Sequence, residues 1–355
     1  EIGSGLVGSE MCIRDRSNRL TVSLDWFNRK TINMVGPAPE LPVTLGANVP
    51  KVNNADMQST GFELDLGWRD QIRGFNSGVH LLLSDDRQKI LKYPNKTGKI
   101  DTWYAGEYSG NIWGFETIGV AKSQEEMDAH LASLPNGGQD ALGSKWGAGD
   151  IMYRDLNGDG KISSGATLND PGDRKIIGNN SPRFKFGLDL NASWKGFDAR
   201  LFFQGVAKRD AWLGDNMFWG ATGDIWQSAC FTPHLDFFRE GDDFWSPNTN
   251  AYFPRPLSVN YAKNQQAQTR YLQNAAYVRL KNLSIGYTIP ARITSKMGIS
   301  NLRIFFSGEN LFTLTGLPQG FDPETIGTGY GSGSQTSGKT YPLSRTFSTG
   351  FSVNF

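Results

Sequence analysis

The chain of 355 residues contains only two cysteines and three histidines. Cys12 and Cys230 are too few for a disulfide framework or a cysteine-based zinc site, and nothing signals a bridge between them. His80, His130 and His234 do not cluster. No run of 18 apolar residues occurs, which excludes a transmembrane helix. It does not exclude a membrane wall built of strands, where lipid-facing residues alternate with water-facing ones and dilute the hydropathy signal. The net charge is +1, so no acidic or basic partner is implied. Nucleophile elbows and phosphate loops are missing: the glycine-rich stretch Gly327 to Gly338 lacks a strand–glycine–helix context and reads as a loop. The carboxylates, Asp242 and Asp243 included, fall at no spacing that a glycosidase would need. The chain is therefore not read as an enzyme.

Aromatic residues and glycine are plentiful: 22 Phe, 10 Trp, 11 Tyr and 42 Gly. Glu1 to Arg16 (EIGSGLVGSEMCIRDR) shows neither strand alternation nor the basic and apolar regions of a signal peptide. Residues 1–16, with Cys12, are read as a non-native or disordered leader, and residues 17–355 as the structured unit. From Leu20 the pattern changes. Leu20, Val22, Leu24 and Trp26 alternate with polar residues, predicting a strand over Arg19 to Met34. A proline-rich loop, Gly36 to Asp56, follows. Phe62, Leu64, Leu66 and Trp68 mark a second strand. A turn at Asp70 to Arg73 leads to a third, with Phe75, Val79, Leu81 and Leu83 on one parity.

A long excursion, Leu91 to Pro182, holds one helical signal: Ser123 with Glu126 forms a capping box before EEMDAHLAS. The fourth strand is the cleanest, with Phe184, Phe186, Leu188, Leu190, Ala192 and Trp194 opposite Arg183, Lys185, Gly187, Asp189, Asn191 and Ser193. A Lys195-Gly196 turn joins it to a fifth strand from Phe197. A second excursion, Ala211 to Thr269, precedes a sixth strand at Arg270 to Ile289, whose parity slips midway and predicts a bulge. A short connection, Pro290 to Ser300, leads to a seventh strand at Leu302 to Leu314. A Gly/Ser/Thr-rich loop then leads to an eighth, where Phe347, Phe351, Val353 and Phe355 share one face.

Every second connection is short. Outer-membrane barrels have short periplasmic turns and long extracellular loops, and the alternation follows from that asymmetry. Charge fixes which face meets lipid: a lysine at the bilayer midplane costs roughly 2–4 kcal/mol, so Lys185 and Asp189 must face water and Phe186, Leu188 and Leu190 the hydrocarbon. The sequence thus predicts an all-β, antiparallel up-and-down transmembrane barrel fragment of about eight strands.

Two motifs carry candidate chemistry. DLNGDGKI (Asp155 to Ile162) matches the front half of a calcium loop, with side-chain oxygens from Asp155, Asn157 and Asp159, the Lys161 carbonyl, and Gly160 at the sharp turn. The bidentate glutamate is replaced by Ala166, and Asp170 or Asp173 could substitute. The same residues also make a metal-free Asx-turn loop. Trp212, Trp219, Trp226 and Trp245, within an aromatic-rich excursion, could stack on sugar rings; equally they could be the packing that holds a long loop together.

The chain resembles the barrel of SusC/RagA-like TonB-dependent outer-membrane transporters. The matching stretches are GNIWGFETIGV (Gly110 to Val120), SQEEMDAH (Ser123 to His130), GDIMYRDLNGDGKIS (Gly149 to Ser163), IIGNNSPRFKFGLDLNASWKGFDARLFFQGV (Ile176 to Val206), YLQNAAYVRLKNLSIGYTIP (Tyr271 to Pro290), NLRIFFSGENLF (Asn301 to Phe312) and YPLSRTFSTGFSVNF (Tyr341 to Phe355). The resemblance implies a barrel of about 22 strands, matched over its last eight or so, with the plug, the TonB-contacting segment and the signal peptide outside the matched stretch. It implies TonB-dependent uptake of oligosaccharides or other large nutrients across the outer membrane, a SusD-like lipoprotein lid and the TonB complex as partners, and Phe351 and Phe355 as the barrel-end signal. The competing expectation is a secreted all-β glycan-binding module with a calcium loop, which would bury the apolar face between two sheets.

Overall fold

A computed structural model describes residues 19–38, 49–220, 230–241, 245–326 and 341–355, and the backbone of 6–14. Its largest element is a nine-stranded antiparallel sheet. The strands are β1 (Leu6–Arg14), β2 (Leu20–Gly36), β3 (Val52–Ile72), β4 (Phe75–Lys92), β5 (Arg183–Trp194), β6 (Phe197–Lys208), β7 (Tyr277–Thr288), β8 (Asn301–Thr315) and β9 (Thr346–Asn354). Each pairs with the next in sequence, so the sheet is an up-and-down meander that does not close among the described residues.

Register explains why this sequence makes a two-faced wall. One row crosses seven strands as Val22, Leu66, Leu81, Leu188, Phe203, Leu280 and Phe312. The adjacent row, one residue along, reads Ser23, Asp65, Leu82, Gly187, Gln204, Arg279 and Thr313. Period-2 side-chain alternation places these rows on opposite faces. Among the described residues the apolar face has no second layer over it: Trp26, Trp194, Phe197, Ile285, Ile304 and Leu314 are exposed, and Phe351 is 74% exposed. Phe186 and Leu190 are half-buried by their strand neighbours, while Phe355 is 91% exposed. From Phe184 to Trp194 the apolar side of β5 runs ten steps, about 33 Å. At a tilt of about 40° this covers about 25 Å of membrane normal, the height of a barrel's apolar band.

The polar face is laced by ion pairs. Arg200 Nε lies 2.8 Å from Asp189, Arg303 Nε 2.9 Å from Asp198, and Lys185 Nζ 2.9 Å from Asp86. Each is buried in neither lipid nor protein core, which matches a solvated interior.

Three predicted features differ in detail. Leu6–Arg14, given no strand in the sequence reading, pairs with β2 from Leu6↔Arg29 to Arg14↔Thr21. Ladder hydrogen bonds are made by the backbone, so an open edge recruits a segment without an alternating pattern. The β3–β4 turn is not Asp70 to Arg73: the strands pair down to Ile72↔Phe75, and only Arg73 and Gly74 turn. Both have positive φ, 49° and 82°, as do Lys195 and Gly196 at 48° and 89°. That is the primed geometry whose twist matches a hairpin, and glycine takes its second position without steric cost. Strand β3 also begins at Val52, inside the predicted loop. The predicted bulge is present: Phe202 pairs with Asn282 and Phe203 with Leu280, leaving Lys281 extra.

The buried core lies in the long connections, outside the sheet. Phe115, Met127, Tyr153, Leu213, Phe218, Trp219, Tyr271, Leu317 and Phe321 form one cluster from three excursions. The longest helix among the described residues, α1 (Gln124–Ala132), adds Met127 to it. Half of the predicted capping box forms: Ser123 Oγ accepts from Glu126 N–H at 3.3 Å, whereas the Glu126 carboxylate accepts from Lys122 N–H at 2.6 Å, one residue before the cap. The wall therefore carries a folded cap on its long-loop side.

Candidate functional site

The polar face of the wall meets the cap at a recess of about 790 Å³. Its floor is the inward parity of β2 to β6, including Asp25, Glu63, Ser84, Lys185 and Gln204; Arg209, Tyr277, Pro323 and Glu324 close its upper side. Pro323 and Glu324 belong to a strap, residues 317–326, that links cap to wall. On the cap side Leu317, Phe321 and Ile326 are buried. On the wall side Arg279 donates to Asp322 at 2.9 Å and Glu324 at 2.8 Å, and Lys281 pairs with Glu324 at 3.0 Å. Burial opposes ionisation of Asp322, but the Glu324 N–H and the Arg279 guanidinium outweigh it and hold the carboxyl below its ordinary range. Arg279 is 4% exposed, so the strap is tethered by charges that have left water.

Deeper in the cap, Asp150 is fully buried and accepts from Arg255 Nε at 2.8 Å, Lys263 Nζ at 2.8 Å, Asn264 Nδ2 at 2.9 Å and Gly147 N–H at 2.9 Å. Lys263 is 1% exposed; its other protons go to the carbonyls of Ser144 and Lys145, and it sits 4.6 Å over the Trp146 ring. Burial pulls its pKa down against the pull of Asp150. Neither this cluster nor the strap was foreseen. The only available signal was Arg279, which falls on the inward parity of β7 next to the parity slip.

Of the predicted tryptophans, Trp212 and Trp219 are in ring contact. Trp219 is buried in the cap, 4.8 Å from Tyr271 and 5.1 Å from Phe218. Trp212 is half-buried, 5.9 Å from Trp219. Trp245 is exposed beside Phe237, with Arg239 5.3 Å over its ring. Trp226, Asp242 and Asp243, and the glycine-rich stretch 327–338, lie outside the described residues.

His234 is buried against the same aromatic cluster. Its Nδ1 accepts from Phe231 N–H at 3.0 Å, so Nε2 carries the proton and donates to the Phe218 carbonyl at 3.0 Å. Burial lowers its pKa, and likewise that of His130, which bonds Gln139 at 3.2 Å. A depressed folded pKa means that the unfolded chain takes up protons the cap refuses. Stability is thus complete above the unfolded value, roughly 6.5, and falls as pH drops through it. The cap's melting midpoint should be lower at pH 5 than at pH 7.5. His234→Gln should shrink that difference, and an unchanged pH profile would refute this role.

The calcium-loop residues form a tight turn. Asp155 accepts from Gly158 and Gly160 N–H at 2.6 and 2.9 Å, Asn157 from Asp159 N–H at 3.0 Å, and Asp159 from Lys161 N–H at 3.1 Å. Asp173, fully buried, accepts from Leu156 and Ser163 N–H at 2.8 and 2.7 Å. Burial raises Asp173 above the usual carboxylate range; Asp155, although desolvated, is held below it by those amides. Among the described residues no three acidic, histidine or cysteine side chains converge on a metal position. The loop's oxygens are engaged by its own backbone, so excess chelator should leave the melting midpoint unchanged. A drop that calcium restores would show a bound ion.

No family model matches the chain. TonB-dependent receptor P3 of Formosa agariphila is 29% identical over 95% of this chain and 32% of its own length. TonB-dependent receptor P26 of the same organism is 25% identical over 96% and 33%. The chain thus spans about a third of the curated relatives it matches, 32% and 33% of their lengths. Among solved structures, the RagAB peptide transporter superposes with a TM-score of 0.68 at 22% identity, over 99% of this chain and 35% of that one. The RagAB peptide importer in its open-open state gives 0.64 at 20% identity, over 98% and 34%.

Proposed function

We propose that this homologue of TonB-dependent receptors forms wall and outer cap of a TonB-dependent importer in the outer membrane, one that takes up oligosaccharides or other large nutrients. The observation that carries this reading is the continuous apolar face of the sheet, uncovered by protein and backed by a charged, hydrated face. The secreted glycan-binding module requires a second layer over that face, and no layer covers it among the described residues. The relatives' shared name supports TonB dependence, and the two RagAB structures support the barrel fold. A SusD-like lipoprotein over the cap and the TonB complex on the opposite side are the partners that the family resemblance supplies.

Sidedness tests the proposal. In a background with Cys12→Ser and Cys230→Ser, an impermeant maleimide added to intact cells should label Lys96→Cys, on the β4–β5 excursion. It should leave Lys296→Cys, on the short β7–β8 connection, unlabelled until the outer membrane is opened. Recovery of the protein in the soluble fraction, or labelling of both sites in intact cells, would refute it.

A further inference from the structure

The outward parity of β2 to β4 changes character toward the long connections. Successive outward rows read Leu24, Leu64, Leu83, then Trp26, Phe62, Asp85, then Asn28, Thr60, Arg87, and last Lys30, Gln58, Lys89. Apolar residues thus give way to cations. Lys30 and Arg87 are exposed and Lys89 is half-buried. Arg87 Cζ lies 4.2 Å over the Tyr108 ring and Lys89 Nζ 5.8 Å from it, so one ring steers both charges. Neither they nor Lys30 meet a carboxylate within ion-pair distance among the described residues. The acids close by are engaged elsewhere. Asp85 is 7% exposed, is gripped by the Arg183 guanidinium and accepts from Phe184 N–H at 3.1 Å. Asp56 stands opposite Lys92 and accepts from Asn33 N–H at 2.8 Å. Asn28, Thr60 and Gln58, between the cations, are neutral.

Height above the apolar band gives the patch its meaning. Thr60, opposite Arg87, is two residues beyond Phe62; at the tilt of a barrel strand this is a rise of about 5 Å along the membrane normal. Gln58, between Lys30 and Lys89, is about 5 Å higher again. The headgroup layer of one leaflet is about 5–8 Å deep. Trp26, 45% exposed, marks the boundary below it. We propose that Lys30, Arg87 and Lys89 seat the phosphate of an outer-leaflet lipid headgroup, whose acyl chains run down the apolar face past Trp26 and Leu24. Two strand spacings, about 10 Å, separate Lys30 from Lys89, a gap that long, flexible side chains close around one phosphate. A phosphate monoester carries nearly two negative charges and so takes more than one cation. A choline headgroup cancels its own phosphate and leaves the patch unmatched. The inference rests on the membrane reading and adds a lipid of defined charge to it.

Native mass spectrometry of the purified protein in detergent tests it, with dioleoyl phosphatidic acid and dioleoyl phosphatidylcholine as probes at equal concentration. Phosphatidic acid should be retained in preference. Lys30→Gln with Arg87→Gln and Lys89→Gln should cut that preference about tenfold or more, at roughly fivefold per surface cation. Lys195→Gln with Lys296→Gln, on the short connections, should leave it unchanged. Glycerol phosphate, which has the headgroup without the chains, should give no adduct at the same concentration. The melting midpoint of each variant is recorded in parallel. If that of the triple variant falls, Lys30→Gln alone decides, because Lys30 makes no hydrogen bond or ion pair among the described residues. Equal retention of the two lipids overturns the proposal. So does a preference that survives the triple variant or is lost in the Lys195 and Lys296 variant, or a glycerol phosphate adduct as abundant as that of the lipid. The sidedness labelling uses no lipid, so a failed headgroup site and a failed membrane assignment give separate results.

Discussion

Asp150→Ala is expected to destabilise the cap by about 3–5 kcal/mol, the range for removing one partner of a buried ion pair. The reason is the group left behind. Lys263 is 1% exposed, and its ammonium would keep two carbonyl acceptors but lose its only buried counter-charge. Arg255 is less affected, because its side chain is 30% exposed and can turn toward water. Urea unfolding followed by tryptophan emission should report the loss directly, with Trp146 in contact with Lys263. The variant Asp150→Asn combined with Lys263→Met should recover more than half of it, since the penalty comes from the orphaned charge. A loss below about 1 kcal/mol for Asp150→Ala would mean that the cluster is hydrated or rearranges easily.

Leu81→Lys and Leu82→Lys should differ by about 2–4 kcal/mol, although the residues are consecutive. Leu81 belongs to the apolar row through Leu66 and Leu188, halfway along the apolar stretch of β5; Leu82 faces Asp65 and Gly187 in the polar row. In phospholipid bilayers the first lysine enters hydrocarbon and the second meets water beside a carboxylate. Urea titration of the bilayer-inserted protein should show a large loss for Leu81→Lys and little for Leu82→Lys. Equal losses, or a larger one for Leu82→Lys, would contradict the assignment of faces.

How much of this was legible depended on the range of the interactions. The faces of β2 to β9 were readable because alternation is local: the parity of Phe186, Leu188 and Leu190 against Lys185 and Asp189 is visible in six residues. The bulge was readable as a break in that parity. The β3–β4 turn was misplaced because Asp70 to Arg73 is polar, whereas the turn is set by an Arg-Gly pair able to adopt positive φ. The cap's centre left no local trace. Asp150 and Lys263 are 113 residues apart, and nothing near either one announces the other. The tryptophans of the second excursion were visible as a group, but composition does not distinguish a ring that packs, such as Trp219, from one that stays in solvent, such as Trp245.

The extra residue at Lys281 does more than kink β7. Above it Val278 and Leu280 point to lipid and Arg279 to the interior; below it Leu283 and Ile285 point to lipid and Asn282 to the interior. The strand is two half-strands in opposite phase, joined by one residue, and that residue helps hold Glu324 of the strap. Loss of Lys281 from the chain would act as a frameshift in space. One half would have to turn over, sending Arg279 toward hydrocarbon or Leu283 and Ile285 toward water. The strap's anchorage and the strand's fit to the membrane are thus written into the same single-residue offset, and neither can drift without the other.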